Sequence, residues 1–206
     1  MRRVASEKTD FYRLALGVVD LGMKWTFIAC LLGLGLAGCG APSGGDYSAG
    51  FLEAQSTTPG EVLPPARSGD AVKRFQRFFS DITPEAVRSQ AGQLYAPNVF
   101  FNDTLKTLRG REAVEAYFLK STEHVDSIRA DVVDVAQSGP NYYVRWVMDV
   151  RFKGAKEPVR TIGMTLLRFD DEGRVTLHQD FWDSSAGFYE HLPVIGGVIR
   201  WIKSKI

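Results

Sequence analysis

Tyr142-Tyr143-Val144-Arg145-Trp146-Val147-Met148-Asp149-Val150-Arg151-Phe152 is the stretch that decides the fold class. Tyr142, Val144, Trp146, Met148, Val150 and Phe152 fall on one side of an extended chain, and Tyr143, Arg145, Val147, Asp149 and Arg151 on the other. Successive side chains of a strand point to opposite faces, so this period of two reads as a strand with one buried face. The first set is core, with Tyr142 and Trp146 reaching toward a cavity mouth. The second set is a solvated face whose charges form cross-strand ion pairs of small energy.

The same period extends over residues 128–136, 159–169 and 175–183. The connectors Gly139-Pro140-Asn141, Gly154 and Asp170-Asp171-Glu172-Gly173 carry turn residues suited to an antiparallel meander. Upstream the period becomes helical. Val72, Phe75, Phe78 and Phe79 recur at helical spacing over 71–79, with Asp70 as the expected N-cap. Thr83 caps a second helix with Pro84 at its first position, running through Val87 and Leu94 and stopping near Tyr95, before Pro97. Residues 98–103 read as a short strand, and Gly110 leads into a third helix that buries Val114, Tyr117 and Phe118 and ends near His124. Helix, helix, short strand, helix and four long strands make an α+β order, with the helices on one face of a curved antiparallel sheet.

Three passages carry a resemblance: Leu94-Tyr95-Ala96-Pro97-Asn98-Val99-Phe100-Phe101-Asn102-Asp103, Gly110-Arg111-Glu112-Ala113-Val114, and Arg168-Phe169-Asp170-Asp171-Glu172-Gly173-Arg174-Val175. Together they resemble the nuclear transport factor 2-like superfamily and, more narrowly, SnoaL-like domains, over about residues 71–185. The resemblance implies a cone in which the sheet wraps around about three helices and leaves an apolar cavity at its open end. Ketosteroid isomerases, scytalone dehydratase and SnoaL-like cyclases use that cavity for cofactor-free acid and base chemistry, while many relatives bind or dimerise without catalysis. Fold alone therefore leaves function open.

Carried over residue by residue, Asp103 stands where the isomerases place a carboxylate base, although Thr104 replaces their usual proline. His178-Gln179-Asp180 resembles the His-Trp-Asp of SnoaL-like cyclases, which makes Asp180 the acid/base candidate and His178 its neighbour. The isomerases' tyrosine and protonated aspartate have Phe78 or Phe75 and Thr165 as counterparts here, which argues against true ketosteroid isomerase activity. Alternation puts Thr176, His178, Asp180 and Trp182 on one face of the last strand. Facing the cavity, Asp180 and His178 would pair; facing solvent or a dimer partner, they would not act. Tyr142, Trp146, Trp182, Phe101 and Tyr117 are the candidate ligand-binding aromatics.

At the other end of the chain, residues 25–37 are apolar behind Lys24, and Leu36-Ala37-Gly38-Cys39 resembles a bacterial lipobox. The run has the length of a signal rather than of a membrane span. A signal over 1–38, with Met23 as the expected true start, would leave Cys39 as a lipidated first residue, and Gly40 after it favours an outer-membrane address facing the periplasm. Removing residues 1–38 takes away five basic and three acidic residues and moves the formal net charge from +1 to −1. A near-neutral domain lacks the footprint of a nucleic-acid binder. Cys30 lies in the signal, so no disulfide is expected, and His124, His178 and His191 have no metal-site spacing. No cofactor motif is present in the chain.

Residues 39–69 are rich in Gly, Pro, Ser, Thr and Ala and read as a flexible tether before a domain over 70–185. Over 186–206, Val194, Ile195, Val198, Ile199, Trp201 and Ile202 alternate with Arg200, Lys203 and Lys205, a basic amphipathic helix. It lies in a membrane interface, or packs over the cone or across a dimer, and the apolar path through Phe188, Tyr189 and Leu192 favours packing. The expected function is a membrane-anchored envelope lipoprotein whose domain binds a small apolar molecule or a protein partner, a homodimer through the sheet included. The alternative is a cofactor-free isomerase, dehydratase or cyclase using Asp103 and Asp180.

Overall fold

The computed structural model describes residues 47–206; the expected signal over 1–38, with Met23 and Cys30, and Cys39 lie outside the described residues. Helices α1 (Tyr47–Thr57), α2 (Pro65–Ser80) and α3 (Pro84–Leu94) come first, followed by β1 (Tyr95–Asn102), β2 (Thr107–Arg109) and α4 (Arg111–Thr122). Strands β3 (Val125–Ser138), β4 (Asn141–Phe152), β5 (Val159–Phe169) and β6 (Val175–Trp182) complete the sheet. A short helix α5 (Ser184–Gly187), a 3-10 turn (Tyr189–His191) and helix α6 (Ile195–Lys203) close the chain.

The six strands form one curved, unclosed sheet in the order β2-β1-β6-β5-β4-β3. Strands β3 to β6 are the expected antiparallel meander. The expectation of a wholly antiparallel sheet is corrected at one seam, because β1 runs parallel to β6. Parallel neighbours need a long crossover rather than a hairpin, and α4 with β3 to β5 supplies it. Register shifts in β3 between Val125 and Ser127 and between Val132 and Asp134 mark bulges, which bend a strand and increase its twist. They stand where the sheet turns around the helices.

The helix starts show what local sequence does and does not fix. Thr83 accepts a hydrogen bond from the Ala86 N–H at 3.1 Å, the cap expected for α3. Helix α2 begins earlier than expected, with Pro65 at its first turn after Pro64, so Asp70 is an interior residue and not a cap. Residues 47–57, expected within a flexible tether, are helix α1. Phe51 meets Phe181 edge-on at 5.8 Å, and Ala54 is buried with Phe100, Leu166 and Leu177 on the outer face of the sheet. Arg168 fastens the segment from below, donating from Nη1 to the carbonyls of Gln55 and Thr58, each at 2.7 Å. The composition of this stretch cannot bury much surface by itself, but the sheet supplies the missing half of the contact.

Inside the cone, Phe75, Phe78, Val87, Leu94, Val99, Phe101, Val114 and Phe118 pack against Tyr142, Val144, Leu167 and Phe169. Phe118 meets Phe78 at 5.3 Å and Phe101 at 5.6 Å, both edge to face, the geometry that ring quadrupoles favour. This aromatic wall is the floor of the cavity above it.

Candidate active site

Helices α2 and α4 and the inner faces of β3 to β6 enclose a cavity of about 430 Å³. Its wall is apolar except at a few points, and Asp103 and Asp180 both face it. Asp103 follows the last residue of β1, where the chain turns sharply. Thr104 takes φ 72°, and its N–H donates to Asn102 Oδ1 at 2.8 Å. A proline there could neither adopt this φ nor donate, so the departure from the isomerase pattern is built into the turn. The turn aims the N–H groups of Leu105 and Lys106 at Asp103 Oδ1, at 2.9 and 2.8 Å. Tyr117, one face of α4, donates from its hydroxyl to Oδ2 at 2.5 Å. Trp182 holds the same residue by its main chain, donating from Nε1 to the Asp103 carbonyl at 2.8 Å.

Burial pushes the Asp103 carboxyl above its ordinary range, and the nearby Asp180 charge pushes the same way, against the bonds from Tyr117, Lys106 and Leu105. Burial, with the Asp103 charge beside it, also drives the Tyr117 hydroxyl upward, so it stays a donor.

Asp180 is held differently. Thr165, its register partner on β5, donates to Oδ1 at 2.5 Å and accepts from Trp146 Nε1 at 2.9 Å. His178 Nε2 lies 2.9 Å from the same Oδ1, and His178 Nδ1 lies 3.2 Å from the Tyr95 hydroxyl. One tautomer satisfies both contacts: Nε2–H donates to the carboxylate and Nδ1 accepts from Tyr95. Burial raises the Tyr95 hydroxyl well above its ordinary range, which keeps it a donor. Both side-chain bonds reach Oδ1, so Oδ2 is the oxygen a ligand would meet.

The structure sorts the residues singled out in the sequence. Phe101, Tyr117, Trp146 and Trp182 line the cavity with the two aspartates. Tyr142 does not: it sits in the core, edge-on to Phe169 at 5.0 Å, with its hydroxyl accepting from Gln137. It lies four residues from Trp146 on a strand crossing the cone, one end of which is filled by core side chains. His178 is buried against Phe101 at 4.6 Å and stands behind Asp180 rather than on the cavity wall. Its place is that of a positioning residue. Gly163 stands opposite both Trp146 and Trp182 in the sheet, and a Cβ there would collide with the Trp146 ring. The two indoles can therefore close over the strand between them.

Sequence reasoning missed Tyr95 as the far end of the hydrogen-bond chain, and the contribution of Gly187, Phe188 and Tyr189 to the cavity wall. The first depends on the parallel β1–β6 seam, for which no local pattern exists. The second was signalled by the apolar path through Phe188 and Tyr189.

Residues 72–178 match the family model of the SnoaL-like domain, half of the chain. A search of curated proteins finds no match. Among solved structures, a hypothetical protein with a ketosteroid isomerase-like fold from Catenulispora acidiphila, in complex with trimethylamine, aligns at TM-score 0.50 and 22% identity, over 57% of this chain and 88% of that one. An LEH-like epoxide hydrolase of M. tuberculosis aligns at 0.50 and 14%, over 68% and 97%. TsrD from Streptomyces laurentii aligns at 0.51 and 16%, over 64% and 98%. Identities this low establish a common fold and nothing about chemistry. With the family model running from the second helix to His178 on the last strand, over half of its length, the chain belongs to the SnoaL-like domain family.

Proposed function

We propose that the domain is a cofactor-free acid/base enzyme acting on a compact, mainly apolar carbonyl compound, carried on an envelope lipoprotein anchored through Cys39. The observation that supports the reading is that Asp103 and Asp180 face one apolar cavity with different partners. Asp180, oriented by His178 and Thr165, takes a proton from the carbon beside the carbonyl. Asp103, whose buried carboxyl holds its proton more tightly than usual even against the bond from Tyr117, donates in its protonated form a hydrogen bond to the oxygen that gains charge. The proton held on Asp180 then returns to carbon, at the same or another position, and the enzyme is regenerated. This goes beyond simple capture of an apolar molecule, which needs no pair of carboxylates. A homodimer would use the outer face of β3 to β5, where Ile162 is exposed, since α1 covers part of the face beyond.

The test is carbon–deuterium exchange in heavy water on a panel of cyclic apolar ketones, alongside native mass spectrometry for a co-purified ligand. Exchange that falls by about 100-fold or more in Asp180→Asn supports the reading. A retained ligand with no exchange on any ketone would assign the cavity to binding alone.

A further inference from the structure

Helix α6 is held to the domain by one side only. Arg200 donates to the Glu190 carbonyl, Lys203 Nζ reaches Glu190 Oε1 at 2.5 Å, and Gly196 is buried against the Glu190 main chain, where a Cβ would not fit. The expectation that the helix packs its apolar stripe on the domain is corrected here. Ile195 and Val198 are each 51% exposed, Trp201 63% and Ile202 49%, and Val194, just before the helix, is 84% exposed. These apolar side chains form an uncovered face beside the polar fastening to Glu190.

We infer that this face is a docking surface for a bilayer carrying anionic headgroups. Charge complementarity favours that occupant: residues 192–206 hold Arg200, Lys203 and Lys205 and no acidic residue, and although Lys203 is paired with Glu190 and Asp183, the basic side chains still outnumber the acidic ones by three to two over residues 183–206. An apolar helix face with a tryptophan and basic flanks is the pattern of an element lying in a membrane interface. Among the described residues no helix is long and apolar enough to cross a membrane, so α6 lies along the surface. Among the described residues, Lys106, Lys120 and His124 are the basic residues on the cavity wall, which also carries Asp103 and Asp180, and the His124 carbonyl accepts from the Lys153 N–H at 3.2 Å. Phe152, next to Lys153, packs on Phe188 and on His191 of the turn that carries α6. Helix, basic rim and cavity wall are thus joined by direct contacts. Docking through α6 brings the cavity rim toward the lipid, where an apolar molecule resides, and it does so whether or not Asp180 performs chemistry.

The experiment uses the full chain with Cys39→Ser, so that no attached lipid contributes, and reads Trp201 itself by subtracting the fluorescence of Trp201→Phe. Vesicles of phosphatidylglycerol and phosphatidylethanolamine, with and without brominated acyl chains, are compared with phosphatidylcholine vesicles. The expected result is a blue-shifted Trp201 signal quenched by bromine, at least several-fold stronger on the anionic vesicles, reduced by salt, and lost when Val198→Glu and Ile202→Glu are combined. Both substituted positions are half exposed, and unchanged circular dichroism shows that the fold survives. A Trp201 that stays in water on anionic vesicles overturns the inference. So does a dimer in sedimentation that Val198→Glu dissociates, since that gives the face to a second copy of the chain.

Discussion

Asp103 shows how one residue couples the fold to the proposed chemistry. The turn at Thr104 buries its carboxyl so that protonation is favoured, while Tyr117 and two N–H groups resist that shift. Because the folded state binds this proton more tightly than the unfolded chain, the group stabilises the fold fully below its ordinary value of 3.8 and less as pH rises through its folded value. Thermal denaturation between pH 4 and 7 should therefore show Asp103→Asn gaining stability relative to the native chain as pH increases. Equal pH slopes for the two proteins would contradict that assignment. His178 teaches the converse lesson: a histidine beside an aspartate in sequence suggests a catalytic pair, yet burial among aromatics makes it a support for Asp180. Sequence alternation put both on one face correctly, but one face of a strand passes from core to cavity within two residues.

At the scale of elements, α1 is the clearest case of structure made by its surroundings. Its residues lack a continuous apolar face and were expected to be unstructured, yet Phe51 and Ala54 find the outer sheet, and Arg168 bonds Gln55, Thr58 and Asn141. Arg168→Ala should cost about 1–3 kcal/mol in urea denaturation, since partly buried carbonyls lose charged donors. Limited proteolysis should then cut first within 47–62. Unchanged stability would mean that α1 is held by its apolar contacts alone. The meander and α3 needed no such help, because strict alternation, turn residues and the Thr83-Pro84 cap act within a few residues of one another. Strand β2 escaped notice because three residues carry too little pattern.

For the whole molecule, the cavity is the property that matters, and it belongs to no element. A space of about 430 Å³ is left where the bent sheet parts from the helices, and Ala130 on β3 is a small buried residue in its wall. Ala130→Leu should raise the thermal midpoint, equivalent to about 1 kcal/mol, while suppressing ligand retention and exchange together. Retention at the native level would place the ligand elsewhere. The amino-acid sequence by itself determined the α+β class and the inner and outer faces of β4, because periodicity and capping are local and follow from backbone geometry, while the aspartates worth testing came from the family resemblance. Only the tertiary structure decided the parallel seam at β6, the docking of α1, the chain from Tyr95 through His178 to Asp180, and the uncovered face of α6. Each of these depends on which distant surfaces meet, and a linear pattern does not encode that register.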